Sequence, residues 1–349
     1  MATHQDSYSQ QRSSGGLRSF SGDLQYCFDF LVYALAAAIL AHLIWSAIFM
    51  VNRPFVGAYW RYYDGQVLAI TSGSQAEGLI RSTDRVLSVN GVATSEALYL
   101  RGIEVGDTVS LAIERGGQQV ALTLAASKAP VSATVQDLPP IVTATFFWAA
   151  GLLVYAFSRA YRQRLVFFLF YGLLALALSS GATSALAGDW NLLIYRFAGI
   201  WGGGAGIISQ LYLLQPNMSQ RRFRSASALT LGIPLLLTFA IIAAFRLDSP
   251  DLSSAAALAF HTWVAVSLLL IALIPVLAYY RTDSVKTRQQ IRFLVFGVII
   301  SVAPILFFSV IGYWLPAFDA VYIPAHYTLF LLVLLPIVTG YAALRHKLL

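Results

Sequence analysis

Charged side chains are scarce in this sequence of 349 residues. Asp, Glu, Lys and Arg make up 11% of it, and hydrophobic residues make up 58%. Soluble domains carry about 25% charged residues, so the composition excludes a soluble globule and predicts an integral membrane protein. The single cysteine, Cys27, excludes internal disulfides, thiolate metal clusters and redox pairs, and its only expected chemistry is acylation beside the first apolar segment.

The motifs of several enzyme classes are also missing. None of the five histidines begins an H-E-x-x-H motif, and there is no Walker loop, kinase glycine-rich loop or dinucleotide-binding fingerprint. An intramembrane serine protease would need Gly-x-Ser-Gly, but the segment Gly206-Ile207-Ile208-Ser209 has the wrong spacing. We therefore predict a protein that is not an enzyme.

Eight apolar runs are long enough to cross the hydrocarbon core, which takes a helix of roughly 20 residues. They are residues 28–51, 141–157, 165–187, 192–214, 226–245, 256–280, 293–315 and 322–344. The predicted fold is an α-helical polytopic membrane protein of about eight helices, with residues 139–349 forming a seven-helix bundle. Residues 1–27 precede the first helix as a cytoplasmic tail, and the Ser, Gln and Gly content of residues 1–22 predicts disorder there.

Lys and Arg are concentrated in every second connection between these runs. The basic residues are Arg159, Arg162, Arg164, Arg221, Arg222, Arg224, Arg281, Lys286, Arg288, Arg292, Arg345 and Lys347. The alternate connections hold acidic residues instead, namely Asp189, Asp248, Asp251 and Asp319. Because cytoplasmic loops carry the excess of Lys and Arg, both termini are predicted to be cytoplasmic and the segment after the first span to lie outside the inner or plasma membrane. This rule explains most of the net charge of +7, and a nucleic-acid or lipid-headgroup site in the basic loops is the alternative. We predict no nucleic-acid partner.

Residues 54–130, between the first two runs, have the pattern of a small, mostly β domain. Alternating apolar residues predict strands at Val67 and Ala69 and at Val109, Leu111 and Ile113. Two-residue hairpin turns are predicted at Asn90-Gly91 and Gly116-Gly117. Short helices are predicted at 74–80 and 94–101, with Thr94 capping the second.

Residues 54–130 contain several short sequence stretches that together form one motif. The stretches are Gly73-Ser74, Gly78-Leu79, Asp84-Arg85-Val86-Leu87, Asn90-Gly91, Gly106-Asp107 and Arg115-Gly116-Gly117. This motif resembles a bacterial PDZ domain, although Thr83 replaces the usual glycine and Gln75 a frequent proline. The resemblance implies a docking domain for a protein partner. Tyr63-Asp64-Gly65-Gln66 predicts a tight hairpin that leaves few free N–H groups for a peptide carboxylate, so we predict docking without recognition of peptide C-termini.

Arg196 and three histidines are the candidate ligand-binding residues of the predicted spans. Arg196 lies about one turn inside the outer end of the fourth span, where a buried charge needs a partner or a purpose. Extension of its side chain toward Asp189 is the alternative interpretation. His42, His261 and His326 all fall in the outer half of the membrane, but no two share a helix at ligand spacing, so no cofactor or metal is predicted. We predict that Arg196, His261 and His326 line an outward-open pocket for an amphiphilic ligand with an anionic group.

Glycines are unusually frequent just after Arg196. The fourth span contains Gly199, Gly202, Gly203, Gly204 and Gly206. Close packing against neighbouring helices is one interpretation. A locally opened helix whose backbone groups line a cavity is the other.

Two stretches near the C-terminus carry a second resemblance. Residues 288–297, Arg-Gln-Gln-Ile-Arg-Phe-Leu-Val-Phe-Gly, enter the seventh span, and Pro336 is followed by Gly340-Tyr341-Ala342-Ala343-Leu344. They resemble the multi-span sensor region of bacterial histidine kinases of the competence-pheromone type, in which a PDZ-like domain also follows the first span. The resemblance implies a sensor that passes an extracytoplasmic signal through its bundle to a cytoplasmic kinase.

No phosphoacceptor or ATP-binding segment is present in the sequence. The expected function is therefore that of a non-enzymatic sensory half of a two-component system, which would use a separate kinase as its partner and leaves homodimer formation open. The alternative is a structural or accessory subunit of a larger membrane complex, with the PDZ-like domain as its docking surface. A transporter is third, because no repeat relates the two halves of the chain.

Overall fold

The computed structural model describes residues 6–60, 65–94, 102–158, 161–214, 218–247, 250–307 and 325–346. It is mostly helical, at 72%. Its helices are α1 (Asp6–Asn52), α2 (Val131–Asp137), α3 (Pro139–Phe157), α4 (Tyr161–Ala187), α5 (Asp189–Leu214), α6 (Gln220–Leu247), α7 (Pro250–Arg281), α8 (Val285–Ile305), α9 (Ala325–Leu332) and α10 (Leu334–His346). Its strands are β1 (Pro54–Phe55), β2 (Ala58–Trp60), β3 (Val67–Ile70), β4 (Arg85–Val89), β5 (Val92–Ala93), β6 (Thr108–Arg115), β7 (Gln118–Ala125) and β8 (Ser127–Lys128).

Seven helical segments in the described residues are long and apolar enough to cross a membrane. They are Tyr26–Asn52, Val131–Phe157, Gln163–Ser184, Asp189–Tyr212, Gln220–Leu247, Leu252–Arg281 and Val285–Ile305. The second of them comprises α2 and α3. The prediction of a multi-pass helical membrane protein is thus confirmed. The predicted eighth span, 322–344, begins outside the described residues. Its described part consists of α9 and α10, which include a shorter apolar stretch, Thr328–Ala342.

The start of α1 differs from the sequence-based expectation. Residues 1–22 were expected to be disordered, whereas α1 begins at Asp6 and continues without a break to Asn52. The first proline of the chain is Pro54, so no residue before it lacks the backbone N–H that a helix needs. A helix that has formed in the apolar span can therefore extend toward the N-terminus at little cost.

Contacts between helices fix their relative directions. Helices α1, α4, α6 and α8 run one way through the bundle, and α3, α5, α7 and the α9–α10 pair run the other way. The contacts that establish this are Ile39 with Gly172, Phe147 with Tyr171, Tyr155 with Phe168, Gly181 with Tyr195, Phe170 with Gly206, Gly204 with Pro234, Trp201 with Thr238, Gly199 with Phe260, Gly203 with Ser267, Gly297 with Val338, and Phe293 with Tyr341. The end of α10 therefore lies at the same end of the bundle as the start of α1, and the β domain lies at the opposite end.

The β domain is built on a four-stranded antiparallel sheet in the order β5-β4-β6-β7. Its core side is formed by the alternating residues of β6, because Val109, Leu111 and Ile113 are completely buried. A hairpin of β2 and β3 and a short β1–β8 pair complete the domain. The strands predicted from alternation are therefore confirmed.

Both predicted two-residue turns are also confirmed. Asn90 and Gly91 have φ angles of 50° and 82°, and Gly116 and Gly117 have φ angles of 57° and 80°. Two successive residues with positive φ form the type I′ turn, whose twist matches that of the flanking strands. These turns connect β4 to β5 and β6 to β7.

Three local predictions in the domain fared differently. The segment 74–80 is a series of turns and not a helix, because Gly73 and Gly78 adopt φ angles of 76° and 82°, outside the right-handed helical region. The predicted helix 94–101 lies outside the described residues after Thr94. The Thr94 hydroxyl donates a hydrogen bond of 3.1 Å to the carbonyl of Val86.

The predicted tight turn at Tyr63-Asp64-Gly65-Gln66 lies partly outside the described residues, which end at Trp60 and resume at Gly65. Trp60 of β2 pairs with Val67 of β3. Gly65 packs on β4, where its carbonyl accepts a 2.7 Å hydrogen bond from the N–H of Val86. A Cβ atom at Gly65 would lie 1.8 Å from the carbonyl oxygen of Val86, so this contact requires glycine.

Candidate functional site

Arg196 lies near the start of α5 and is buried, with 8% of its surface exposed. Within the described part of the chain its guanidinium makes no hydrogen bond and no ion pair, and in particular none with Asp189. An arginine at this depth normally pairs with an acidic group or a carbonyl. Arg196 therefore presents a buried cation whose partner is not among the described side chains.

Tyr195, the residue before Arg196, lies between α4 and α7. Its ring packs against the ring of Phe260 at 5.1 Å between centroids, and it also contacts Gly181 of α4. Phe260 also occupies the space beside Gly199. His261, the next residue of α7, is half-buried, and its imidazole lies within electrostatic range of the Arg196 guanidinium. Two of the three residues predicted to bind a ligand therefore lie on helices that pack against each other, Arg196 on α5 and His261 on α7.

The ring of His261 is already held within its own helix. Its Nδ1 atom lies 2.7 Å from the carbonyl oxygen of Ala257, one turn earlier. A hydrogen bond to a carbonyl oxygen requires a proton on Nδ1. In a neutral imidazole, Nε2 is then the hydrogen-bond acceptor. For His326, the third predicted residue, only the backbone within α9 is described, and its side chain lies outside the described residues.

The glycines of α5 serve close packing. Helix α5 is continuous from Asp189 to Leu214, so the interpretation as a locally opened helix is wrong. A Cβ at Gly203 would lie 2.6 Å from Oγ of Ser267 in α7. A Cβ at Gly206 would lie 2.7 Å from Ile271, also in α7. The close approach also allows the Trp263 indole to donate a 2.9 Å hydrogen bond to the carbonyl of Ile200. Helix α7 therefore lies directly against the bare backbone of α5.

A polar network between α1, α4 and α5 was not predicted from the sequence. His42 Nε2 lies 2.8 Å from Ser180 Oγ, and the Asn191 amide donates to the Ser180 carbonyl at 2.9 Å and to Thr183 Oγ1 at 2.5 Å. Ser46 is also buried, 3.5 Å from His42 Nε2. His42 therefore connects helices through hydrogen bonds, which is the alternative to metal binding. Within the described residues no group of three or more His, Cys, Asp or Glu could hold a metal ion.

A signal for this network exists in the sequence. His42 and Ser46 lie four residues apart, on one face of a helix. Hydroxyl residues also recur along one stretch of α4, at Ser179, Ser180 and Thr183. Their partner Asn191 follows in the next helix, but the pairing of the three helices could not be obtained from spacing alone.

A third polar cluster lies where the β domain meets the bundle. Arg53, directly after α1, pairs with Asp137 at the end of α2 and donates a 3.2 Å hydrogen bond to the hydroxyl of Tyr59 in β2. The Arg53 guanidinium carbon lies 5.5 Å from the ring centroid of Phe55. Burial, with a smaller contribution from the negative charge of Asp137, raises the pKa of Tyr59 to about 12. We call Arg53, Tyr59 and Asp137 the junction cluster, because it joins α1, the β domain and α2.

The composition and the fold define a polytopic α-helical membrane protein that carries a small β domain between its first two long helices. No protein-family model, curated protein or solved structure matches this chain.

Proposed function

We propose that this protein is a non-enzymatic membrane sensor, the sensory half of a signalling system, that binds an amphiphilic ligand through Arg196. The main support is the buried guanidinium of Arg196, which has no partner among the described residues. A cation of this kind is costly within a membrane. An anionic ligand group would offset that cost by forming a charge-assisted, bidentate pair.

The surroundings of Arg196 fit the rest of such a ligand. Ile200, one turn after Arg196 on α5, and Phe260, which packs on Tyr195 and Gly199, are buried, and the half-buried His261 adds a polar imidazole edge. Small-molecule sites usually combine apolar walls with a few polar groups that fix orientation. The predicted orientation, with both termini cytoplasmic, would place this site in the outer half of the membrane beneath the β domain, which would cover it.

Two routes for transmission follow from the contacts. Tyr195 and Phe260 couple the segment around Arg196 to α7, and α7 continues to α8 through residues 282–284. The junction cluster couples the β domain to α1 and α2. We propose that the PDZ-like domain docks a protein partner and that a separate kinase reads the cytoplasmic face.

An accessory subunit of a larger complex is the second candidate. Helix α6 favours it, because most of its apolar residues are not buried by the rest of the bundle. Leu229, Leu236 and Phe239 are 68%, 71% and 62% exposed, and such a face would contact lipid or a neighbouring subunit.

The test compares two arginine substitutions. Arg196→Gln removes the buried cation, whereas Arg246→Gln makes the same change at the exposed end of α6. Binding of myristate and of its uncharged methyl ester to the purified protein would be measured by native mass spectrometry. We expect saturable binding of myristate, but not of the ester, to the wild type and to Arg246→Gln, and at least a tenfold loss for Arg196→Gln.

Stability measurements separate this proposal from a structural role. Arg196→Gln removes a charge with no described partner, so the melting temperature should stay the same or rise. If the variant is lost from the membrane, or if it binds myristate like the wild type, Arg196 is not the ligand anchor.

A further inference from the structure

Strand β7 leaves one edge of the four-stranded sheet open. It is the last strand in the order β5-β4-β6-β7, and the N–H of Ala125 points away from β6 toward Gln75 Oε1, at 2.8 Å. In an antiparallel strand the direction of the backbone groups alternates. The N–H and C=O groups of Gln119, Ala121 and Thr123 therefore point outward as well, and within the described part of the chain they have no partner.

This edge lacks the features that normally prevent strand pairing. Native edge strands are protected by shortness, charged residues, proline or bulges. Strand β7 has eight residues, Gln-Gln-Val-Ala-Leu-Thr-Leu-Ala, none of them charged or proline. It pairs with β6 from Thr108↔Ala125 to Arg115↔Gln118 without a register shift. The opposite edge of the same sheet is protected by shortness, because β5 has two residues.

We propose that β7 is a homodimer interface, in which it pairs antiparallel with β7 of a second copy of this chain. The outward groups place the two-fold axis at Ala121, opposite Ala121 of the partner subunit. Gln119 then faces Thr123 of the partner subunit, and backbone hydrogen bonds form at these positions. The two four-stranded sheets become one continuous sheet of eight strands.

The side chains of β7 are self-complementary in this register. Small Ala121 residues meet at the axis, and the amide of Gln119 lies beside the hydroxyl of Thr123 of the partner subunit. On the core side, Val120 lies opposite Leu122 of the partner subunit, and both residues already pack against the domain core. Like charges in a cross-strand pair would be unfavourable, and this register brings none together.

Anchoring favours a second copy over a soluble partner. The domain is attached at both ends, since β1 follows α1 and β8 precedes α2 and α3. Copies held in one membrane share the same height and a restricted plane, which raises their effective concentration. This dimer is independent of ligand binding at Arg196, and it adds an interface that the proposed sensor does not itself require.

Cysteine cross-linking tests the register directly. In the full chain with Cys27→Ser, Ala121→Cys places two Cα atoms about 5.5 Å apart across the axis, within the range of a disulfide. Ser110→Cys is the matched control, because Ser110 is exposed on β6 beside Thr123. Its two copies would be separated by at least three strand spacings of about 4.8 Å.

Membranes treated with a copper oxidant should give a disulfide-linked dimer for Ala121→Cys and none for Ser110→Cys.

A second pair of variants tests the interface without a cross-link. Ala121→Lys sets two charges against each other at the axis and should reduce the dimer fraction at least tenfold by native mass spectrometry, whereas Ala121→Ser should keep it.

Several results would overturn the proposal. They are the absence of a cross-link at Ala121→Cys, equal cross-linking of both cysteine variants, an adduct with a mass other than that of two chains, or an unchanged dimer fraction in Ala121→Lys. Because Ala121→Cys is a small change, its cross-link reports on the interface even if the lysine variant fails to fold.

Discussion

Asp84 is a fully buried acidic residue of the β domain that retains its charge. Arg115 donates two hydrogen bonds to it, from Nε at 2.8 Å and from Nη2 at 2.5 Å, and the N–H of Arg81 donates a third at 2.7 Å. The hydrogen bonds from Arg115 are the main reason why the pKa of Asp84 lies below its usual value. This pair fixes the loop before β4 to the end of β6.

Replacing Asp84 by Asn should destabilise the domain by about 2 kcal/mol, because the charged acceptor of these hydrogen bonds is lost. The control is Glu114→Gln, since Glu114 pairs with Arg85 at 3.9 Å on the exposed surface and such pairs contribute about 0.5 kcal/mol or less. Hydrogen exchange of residues 102–128 in the full protein should accelerate in Asp84→Asn and stay unchanged in Glu114→Gln. Equal exchange in the two variants would contradict this role of Asp84.

The lowered pKa of Asp84 also fixes the direction of a pH effect. A group whose pKa is lower in the folded state stabilises that state above its unfolded pKa, which is about 3.9 for Asp. This contribution is lost as the pH falls below about 4, toward the folded pKa. Acidification should thus lower the protection of residues 102–128, measured as the ratio of the intrinsic to the observed exchange rate, in the wild type and to a smaller extent in Asp84→Asn.

How far single residues could be predicted depends on the distance of their partners in the sequence. Asp84 was recognised as part of a motif, and Arg196 was recognised as a charge within an apolar run. Their surroundings were not recognised, because Arg115 follows Asp84 after 31 residues and Phe260 reaches Tyr195 from another helix. Spacing along one element cannot encode such contacts.

At the scale of elements, the packing of α5 on α7 depends on missing side chains. Gly203→Ala would place a Cβ 2.6 Å from Ser267 Oγ and 2.9 Å from its Cβ, and overpacking of this kind costs about 1–3 kcal/mol. Gly232→Ala is the control, because the space beside Gly232 in α6 is open and alanine is the better helix former.

The melting temperature in detergent should fall for Gly203→Ala and stay the same or rise for Gly232→Ala. The double variant Gly203→Ala with Ser267→Gly should recover most of the loss, because the clashing side chain is removed. If the single and the double variant melt at the same reduced temperature, the loss does not come from this contact.

Helices, strands and turns were predicted to different degrees. Long apolar runs marked seven helices, because the membrane requires continuous hydrophobicity. The turns at Asn90-Gly91 and Gly116-Gly117 were predicted because these residues adopt positive φ easily. The segment 74–80 was misread as a helix because its glycines have the same freedom. The contact of Gly65 with Val86 of β4 was not predicted, because it joins residues that are 21 positions apart.

For the whole molecule, the predicted orientation places the β domain outside the cell and the basic connections inside. The helix directions require only that the β domain and the end of α10 lie on opposite sides of the bundle. Single cysteines replacing Ser110 and Ser225, in a chain with Cys27→Ser, should react differently with an impermeant maleimide in intact cells. We expect labelling of Ser110→Cys alone, and labelling of Ser225→Cys only after permeabilisation. The opposite pattern would invert the orientation, and equal labelling would reject it.

Reception at Arg196 and transmission to the far end of the bundle are the central claims. Hydrogen exchange of the reconstituted protein, with and without myristate, tests both in one measurement. In the wild type, myristate should slow exchange around Arg196 and change it at least twofold in residues 285–292, at the start of α8. In Arg196→Gln it should do neither. Protection around Arg196 with no change at residues 285–292 would contradict the sensor and favour the accessory subunit, and identical responses of the wild type and the variant would contradict the binding site itself.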